Sequence, residues 1–356
     1  MPCGQTMAMR HSRSDGGGLS RRRFLGTMAV PLVAAAACSR RPYDAGNFIH
    51  DPQSAVTILP AASYAIDFAE LIGRGLRETG FDPRGKRVLL KPNIVEYEPG
   101  TAINTHPLLV AGAAVAMRIA GASEVIVAEG PGHRRDSEYL ITASGLYEHL
   151  RDHRVRFVDL NQDDVAVVPL GSRYTGMKVL AFPLEVLRAD IIVSMPKLKT
   201  HHWAGLTASM KNLFGTVPGA VYGWPKNILH AHGIDQSIVD LTATLRPHLT
   251  IVDAVTAMEG DGPIMGRPRH MGFVAIGRDL VAVDATCARI IGLDPARIPY
   301  LRIAGGFLGN LEDAQIQQRG ENPARYATVF DVIDAIKPFR IGQPAASPTA
   351  PAPTAG

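Results

Sequence analysis

An α/β fold on a largely parallel sheet, with helices on both faces in one or two lobes, is what this sequence predicts. Two observations carry the expectation. Short runs rich in Val and Ile recur along the chain, and longer stretches of helical periodicity lie between them, several ending at glycine. Strand–helix–strand alternation implies parallel strands covered on both faces. A third observation concerns position: polar clusters follow directly on four of the strand-like runs. In open parallel sheets ligands bind beyond the carboxyl ends of the strands, so those clusters should converge on one sheet edge.

Strands are expected at 55–59, 87–90, 124–128, 156–160, 190–194, 250–253 and 272–276. Helices are expected at 64–79, 107–120, 235–245 and 280–291, with Gly80, Gly121 and Gly292 as stops for three of them. Thr105, just before His106-Pro107, reads as an N-cap with Pro in the first turn. Asp279 reads as the cap of the last long helix, and Asp235 as a cap before 235–245. Asp284 falls inside an apolar run, where a buried acid needs a partner.

Residues 1–37 read as a twin-arginine export signal. Ser20-Arg21-Arg22-Arg23-Phe24-Leu25-Gly26 precedes the apolar run Thr27 to Ala37, broken by Pro31 and ending in alanines. The run is shorter than the roughly 20 residues of a spanning helix. Cys38 stands where a lipid-modified cysteine would stand, with simple cleavage among the alanines as the alternative. The organisation then runs through a linker at 38–54, an α/β domain at 55–340 and a Pro/Ala-rich tail at 341–356 that reads as disordered. A protein so addressed would engage the twin-arginine translocase and work folded, in the periplasm or on the outer side of a membrane.

The leader also carries the basic charge. It holds five arginines and one aspartate; taking these from 37 basic and 33 acidic residues leaves 32 of each. A mature chain without net charge offers no footprint for nucleic acid. Of three cysteines only Cys287 lies in the folded part, in an apolar helical stretch, so this chain can build neither a disulfide nor an iron–sulfur cluster there. There is no Walker-type loop, dinucleotide fingerprint or Gly-x-Ser-x-Gly elbow.

Chemistry-bearing residues concentrate between Lys197 and His232. Lys197, Lys199, Thr200, His201, His202, Lys211, Asn212, Lys226, His230 and His232 lie there, including four of the twelve histidines. Imidazoles serve as acid, base or metal ligand, and lysines supply a field for a small anion. The structural alternative is a solvated polar loop. His201 and His202 are adjacent and point differently, whereas His230 and His232 would share a face of an extended segment and could bind a divalent metal, with Asp261 as a further ligand. Lys91-Pro92-Asn93 follows one strand and could reach the same substrate. Glu259-Gly260-Asp261-Gly262-Pro263 places two acids in a glycine-bounded turn, for a catalytic or cation-holding role or for turn chemistry alone. On this reading His201, Lys197, Lys199, Lys211 and Glu259 are candidates for catalysis. Lys91, Asn93, Thr200 and Asn212 are candidates for binding substrate.

Several of these motifs, taken in order, resemble the domain-of-unknown-function family 362. They are Lys91-Pro92-Asn93, Pro196-Lys197-Leu198-Lys199-Thr200-His201, Lys211-Asn212-Leu213-Phe214-Gly215, His230, Glu259 to Pro263, and Gly277-x-Asp279-x-x-Ala282-x-Asp284. The likeness spans about residues 55–310. Some members of that family carry a ferredoxin-like cluster domain, whose cysteines this chain lacks. The run His201 to Lys211, with Pro218-Gly219 and His230, is similar, more distantly, to the central segment of nickel-pincer lactate racemases. That resemblance implies His201 as acid/base, Lys211 as covalent anchor or substrate lysine and His230 as metal ligand. This chain departs from it at Ala208-Ser209, where paired glycines are usual.

Three function classes remain open at this point. One is an exported enzyme acting on a small anionic substrate by acid/base or hydride chemistry, metal- or cofactor-assisted. The others are a non-catalytic anion or metal binder, and a redox accessory protein partnering a separate iron–sulfur chain.

Overall fold

The computed structural model describes residues 41–132 and 136–343. The segment read as an export leader, Cys38, His133 and the tail from 344 lie outside the described residues. Twelve strands are described: β1 (Ser54–Pro60), β2 (Arg87–Pro92), β3 (Glu124–Glu129), β4 (Arg156–Asp159), β5 (Val165–Pro169), β6 (Val179–Pro183), β7 (Ile191–Met195), β8 (Lys197–His201), β9 (Gly205–Thr207), β10 (Leu249–Glu259), β11 (Arg267–Gly277) and β12 (Ile316–Gly320). The helices are α1 (Phe68–Glu78), α2 (Pro107–Ile119), α3 (Ser137–Ala143), α4 (Leu146–Asp152), α5 (Leu184–Arg188), α6 (Gly219–Tyr222), α7 (Asn227–Ala231), α8 (Ile234–Leu245), α9 (Leu280–Ile290) and α10 (Pro299–Ala304).

The main sheet runs β12-β1-β11-β10-β7-β2-β3-β4. Along this path only the pairings of β11 with β1 and β10 are antiparallel. The expected largely parallel α/β fold is therefore present. Strand residues alternate between two packed layers, as a pleated strand requires. Val88 and Leu90 of β2 and Val125 and Val127 of β3 pack beneath α1, α2, α3 and α4, while Leu89 and Ile126 face the opposite layer with Val186 of α5. Further along the sheet that opposite layer holds α8, α9 and α10, with the buried Cys287 inside it.

Local chemistry explains the element ends. Asp279 caps α9 by accepting from the N–H groups of Val281 and Ala282, as expected. At α2 the cap is His106, whose Nδ1 accepts from Leu108 N; Thr105 is one residue too early. Thr105 instead accepts from Asn93 N at 2.9 Å and donates to Met195 O at 2.7 Å, tying β2 to β7. Asp235 sits in the first turn of α8, where Gly233 holds the cap position. Residues 41–53, expected as linker, pack on the body: Tyr43 stacks on Phe307 at 3.9 Å and Arg246 lies over Phe48.

One irregularity shapes the cavity. Pro196, with no N–H to give the ladder, separates β7 from β8. β7 pairs with β10 only at Leu249 and Thr250, and β8 then meets β10 at Asp253↔Lys197 and Met258↔Lys199. The register jumps between those pairs, and on its other side β8 turns back to pair antiparallel with β9. Gly205 opens β9 with φ +78°, and a Cβ there would sit 2.8 Å from the ring of Phe339, which backs the hairpin.

Candidate functional site

The loops after β2, β3, β8 and β10 converge as the topology demands, around a cavity of about 390 Å³. Its walls carry Lys91, Lys199, His201, Lys211, Lys226 and His230, with Asn93, Glu129, Asn212 and the rings of Trp203 and Phe214 between them.

The base of the site is a buried ion pair. Lys91 Nζ lies 2.6 Å from Glu129 Oε2 and also donates to Pro92 O and Asn212 Oδ1. Glu129 accepts in addition from Ile94 N and Gly130 N. Asn212 completes the bridge by donating to Lys91 O and Ser194 Oγ. Burial pushes the Lys91 ammonium below its ordinary value, and Glu129 opposes that shift.

Lys211-Asn212-Leu213-Phe214-Gly215 now reads as a device. It forms most of a 3-10 turn, Lys211–Thr216, in which residues three apart eclipse. Lys211 Nζ accordingly stands 3.6 Å from the centre of the Phe214 ring. Leu213 enters the core. Gly215 leaves room for the ion pair, since a Cβ there would fall 1.7 Å from Glu129 Oε1. The turn is held from below by Asp284, which accepts from the N–H groups of Ser209 and Met210. That is the partner the buried acid needed.

The lysines differ in what holds them. Lys199, fully buried, donates only to carbonyls, Ile103 O at 2.9 Å and Pro263 O at 3.3 Å. Burial, with Lys197 and Lys211 nearby, drives its ammonium well below the usual lysine range. Lys226 donates to Asn161 Oδ1, and burial lowers it to about 8. Lys211 has no hydrogen bond or ion pair among the described residues; burial and the charge of Lys91 lower it to about 7.

The histidines differ in tautomer. His201 Nδ1 accepts from the N–H groups of Trp203 and Ala204, so Nε2 carries the proton. Burial and the neighbouring lysine charges keep that ring neutral. His230 Nδ1 lies 3.3 Å from Lys226 O and serves as donor there, which leaves Nε2 as an acceptor. Its basicity is also lowered by burial and by Lys211. His202 pairs with Asp261 at 3.1 Å on the more exposed rim.

Several candidates fall elsewhere. Lys197 lies outside the cavity wall, in a buried pair with Asp253 at 2.6 Å that also takes the hydroxyl of Tyr64. Glu259 points away, held by Arg267, Arg269 and Asp331 N. Thr200 donates to Gly260 O and takes no part in the wall. His232 caps the C-terminus of α7 and bonds Thr175 O outside the cavity. The segment is helical rather than extended, so two residues two apart do not share a face. Among the described residues no group of three or more His, Cys, Asp or Glu is placed to hold a metal ion. A metal held by side chains alone does not fit them.

Other contributors were not singled out from sequence. Glu129 carries no local signal of its role, because its partner Lys91 is 38 positions away. Asn161 binds Lys226 and Gly219 N at once. Thr207 Oγ1 and Asn93 Oδ1 are buried in the cavity wall without a hydrogen-bond partner among the described residues, and so remain available to a ligand.

Comparison with known proteins agrees with these motifs. A thylakoid-associated protein from Synechocystis sp. is 34% identical over 226 residues, covering 61% of this chain and 66% of its own length. Two solved structures resemble the chain distantly. The lactate racemase apoprotein from Thermoanaerobacterium thermosaccharolyticum aligns with a TM-score of 0.37 at 13% identity, over 62% of this chain and 55% of its own. A structural-genomics protein from Thermotoga maritima aligns with a TM-score of 0.34 at 14% identity, over 60% and 56%. The chain thus spans about two thirds of the first relative's length and a little over half of the other two. Residues 88–289, the stretch that runs from β2 into α9 and builds most of the cavity, match the family described as Domain of unknown function (DUF362), and the chain belongs to that family.

Proposed function

We propose that the cavity binds a small organic anion and carries out acid–base chemistry on it. The observation that carries this reading is the pair Lys199 and Lys211. Both line the cavity, and neither has a carboxylate partner among the described residues. Charges taken out of water need pairing, and an anion between these two lysines would supply it. Asn93 Oδ1 and Thr207 Oγ1 add unpartnered polar atoms to the same wall. The histidines are suited to proton transfer around a bound anion, with His201 Nε2–H as donor and His230 Nε2 as acceptor. Ile94, Ile264 and Trp203 face the apolar remainder of the ligand.

The setting is a membrane surface or the space beyond it. The leader reads as an export signal, Cys38 as a candidate lipid site, and the cyanobacterial relative bears a thylakoid-associated name. No helix among the described residues is long and apolar enough to cross a membrane.

Both tryptophans of the chain lie at the site, Trp203 in the wall and Trp224 against Gly219 beside it, so intrinsic fluorescence reports occupancy. Titration with small carboxylates and inorganic phosphate should give saturable quenching. Lys199→Met should weaken it tenfold or more, about the 1.4 kcal/mol of a lost charge-assisted contact. Binding that Lys199→Met and Lys211→Met leave unchanged would overturn the reading.

A further inference from the structure

We infer that Lys211 is a nucleophilic amine, and that it forms an imine with an anionic carbonyl compound of the 2-oxo acid class. The inference rests on the anion-binding reading above and narrows its substrate. Four other lysines of the region are engaged through their nitrogen. Lys91 has three acceptors, Lys197 has Asp253 and Tyr64, Lys199 has two carbonyls and Lys226 has Asn161. Among the described residues, Lys211 alone of the five meets only a ring face. A ring face takes no lone pair, so the nitrogen, once neutral, is free to attack. Burial beside a second cation is the environment that makes a lysine amine neutral near pH 7.

The surroundings select the electrophile. Lys199 and Lys211 line the same cavity and the charge of Lys211 is felt at Lys199, so a carboxylate at Lys199 brings an adjacent carbonyl toward Lys211. A 2-oxo acid has those two groups on neighbouring carbons.

In the reaction the amine nitrogen bonds to the carbonyl carbon as the C=O π pair moves to oxygen. One proton passes from nitrogen to that oxygen, giving the carbinolamine. The C–O bond then breaks as nitrogen forms C=N, and the oxygen leaves as water with a second proton taken from solvent. One amine, one carbonyl and one proton give one iminium and one water, with no change of oxidation state. His201 Nε2–H is the donor available to the developing oxyanion, and His230 Nε2 the acceptor available to the proton that nitrogen sheds.

The test treats the full chain with pyruvate and sodium cyanoborohydride and maps the modified peptides by mass. A carboxyethyl group is expected at Lys211 ahead of every other lysine. Its own labelling should rise about tenfold between pH 6 and 8, as the amine fraction grows through about 7, and should exceed that of the exposed Lys337 throughout. Lactate, which has no carbonyl, is titrated in parallel by tryptophan fluorescence. Lactate binding without preferential label at Lys211 overturns the imine and leaves the anion pocket standing. Absence of both overturns both. Equal labelling of Lys211 and Lys337 overturns the inference whatever lactate does. The wild-type map decides without any variant; Lys211→Arg, if folded, should lose the label.

Discussion

Asp284 accepts the backbone N–H of Ser209 at 2.7 Å, two residues before Lys211. Its second oxygen takes Met210 N at 3.1 Å. A carboxylate in the middle of α9 thereby fixes the start of the 3-10 turn on which the cavity depends. Removing it strands two buried donors, at about 1–3 kcal/mol each. Asp284→Ala should therefore lower the denaturation midpoint and weaken anion quenching of tryptophan fluorescence together. A stable variant with unchanged ligand affinity would show that the turn holds itself.

Lys211 makes a pH-dependent contribution to stability. Its folded value of about 7 lies below the ordinary 10.5, so between those values the unfolded chain binds more protons than the folded one. The destabilisation is complete below about pH 7 and fades as pH rises toward 10.5. Lys211→Met removes it. The variant's advantage in melting temperature should be greatest at and below neutral pH and vanish near pH 10.5, as differential scanning calorimetry across that range can follow.

Breaking the Lys91–Glu129 pair on one side should be worse than losing it entirely. Glu129→Gln leaves a buried ammonium without its counter-ion, at about 3–5 kcal/mol. Lys91→Met combined with Glu129→Gln should recover much of that in urea unfolding. A double variant less stable than Glu129→Gln would contradict this account.

His201 has two separable duties. Its Nδ1 holds the turn at Trp203 and Ala204, while Nε2–H is the proton donor in the mechanism proposed above. Asn places an oxygen near the position of Nδ1 and Gln near that of Nε2. His201→Asn should keep the melting temperature close to wild type while suppressing cyanoborohydride-trapped imine severalfold. His201→Gln should lose about 1–2 kcal/mol from the two freed N–H groups. If the two variants behave alike, the duties are not separate.

What sequence made legible follows from the range of the signals. The Val/Ile runs of β2, β3 and β7 and the glycine stops of α1, α2 and α9 are local, and they appear where expected. Lys91, Lys199, His201, Lys211 and His230 were singled out, and one cavity wall carries all five. Lys197 and Glu259 were expected there too. Their fates depend on Asp253, 56 positions from Lys197, and on the arginines of a neighbouring strand. β8 was missed as a strand because Lys-Leu-Lys-Thr-His lacks the β-branched, half-buried pattern, and tertiary context makes it one. His230 and His232 were read two apart on an extended segment, and a short helix between loops gives too little periodicity to say otherwise.

Gly205 pressed against Phe339 bears on where this protein can be cut. The stretch shared with the family ends at residue 289, yet Ile298 and Phe339 buttress the hairpin that carries Lys199 and His201. At the other end β1, outside that stretch, is wedged between β11 and β12. A fragment trimmed to 88–289 would keep all of the side chains that line the cavity and lose the scaffolding that aims them. The block matched to the family is a fingerprint for recognition; the compact unit is larger and begins at Arg41.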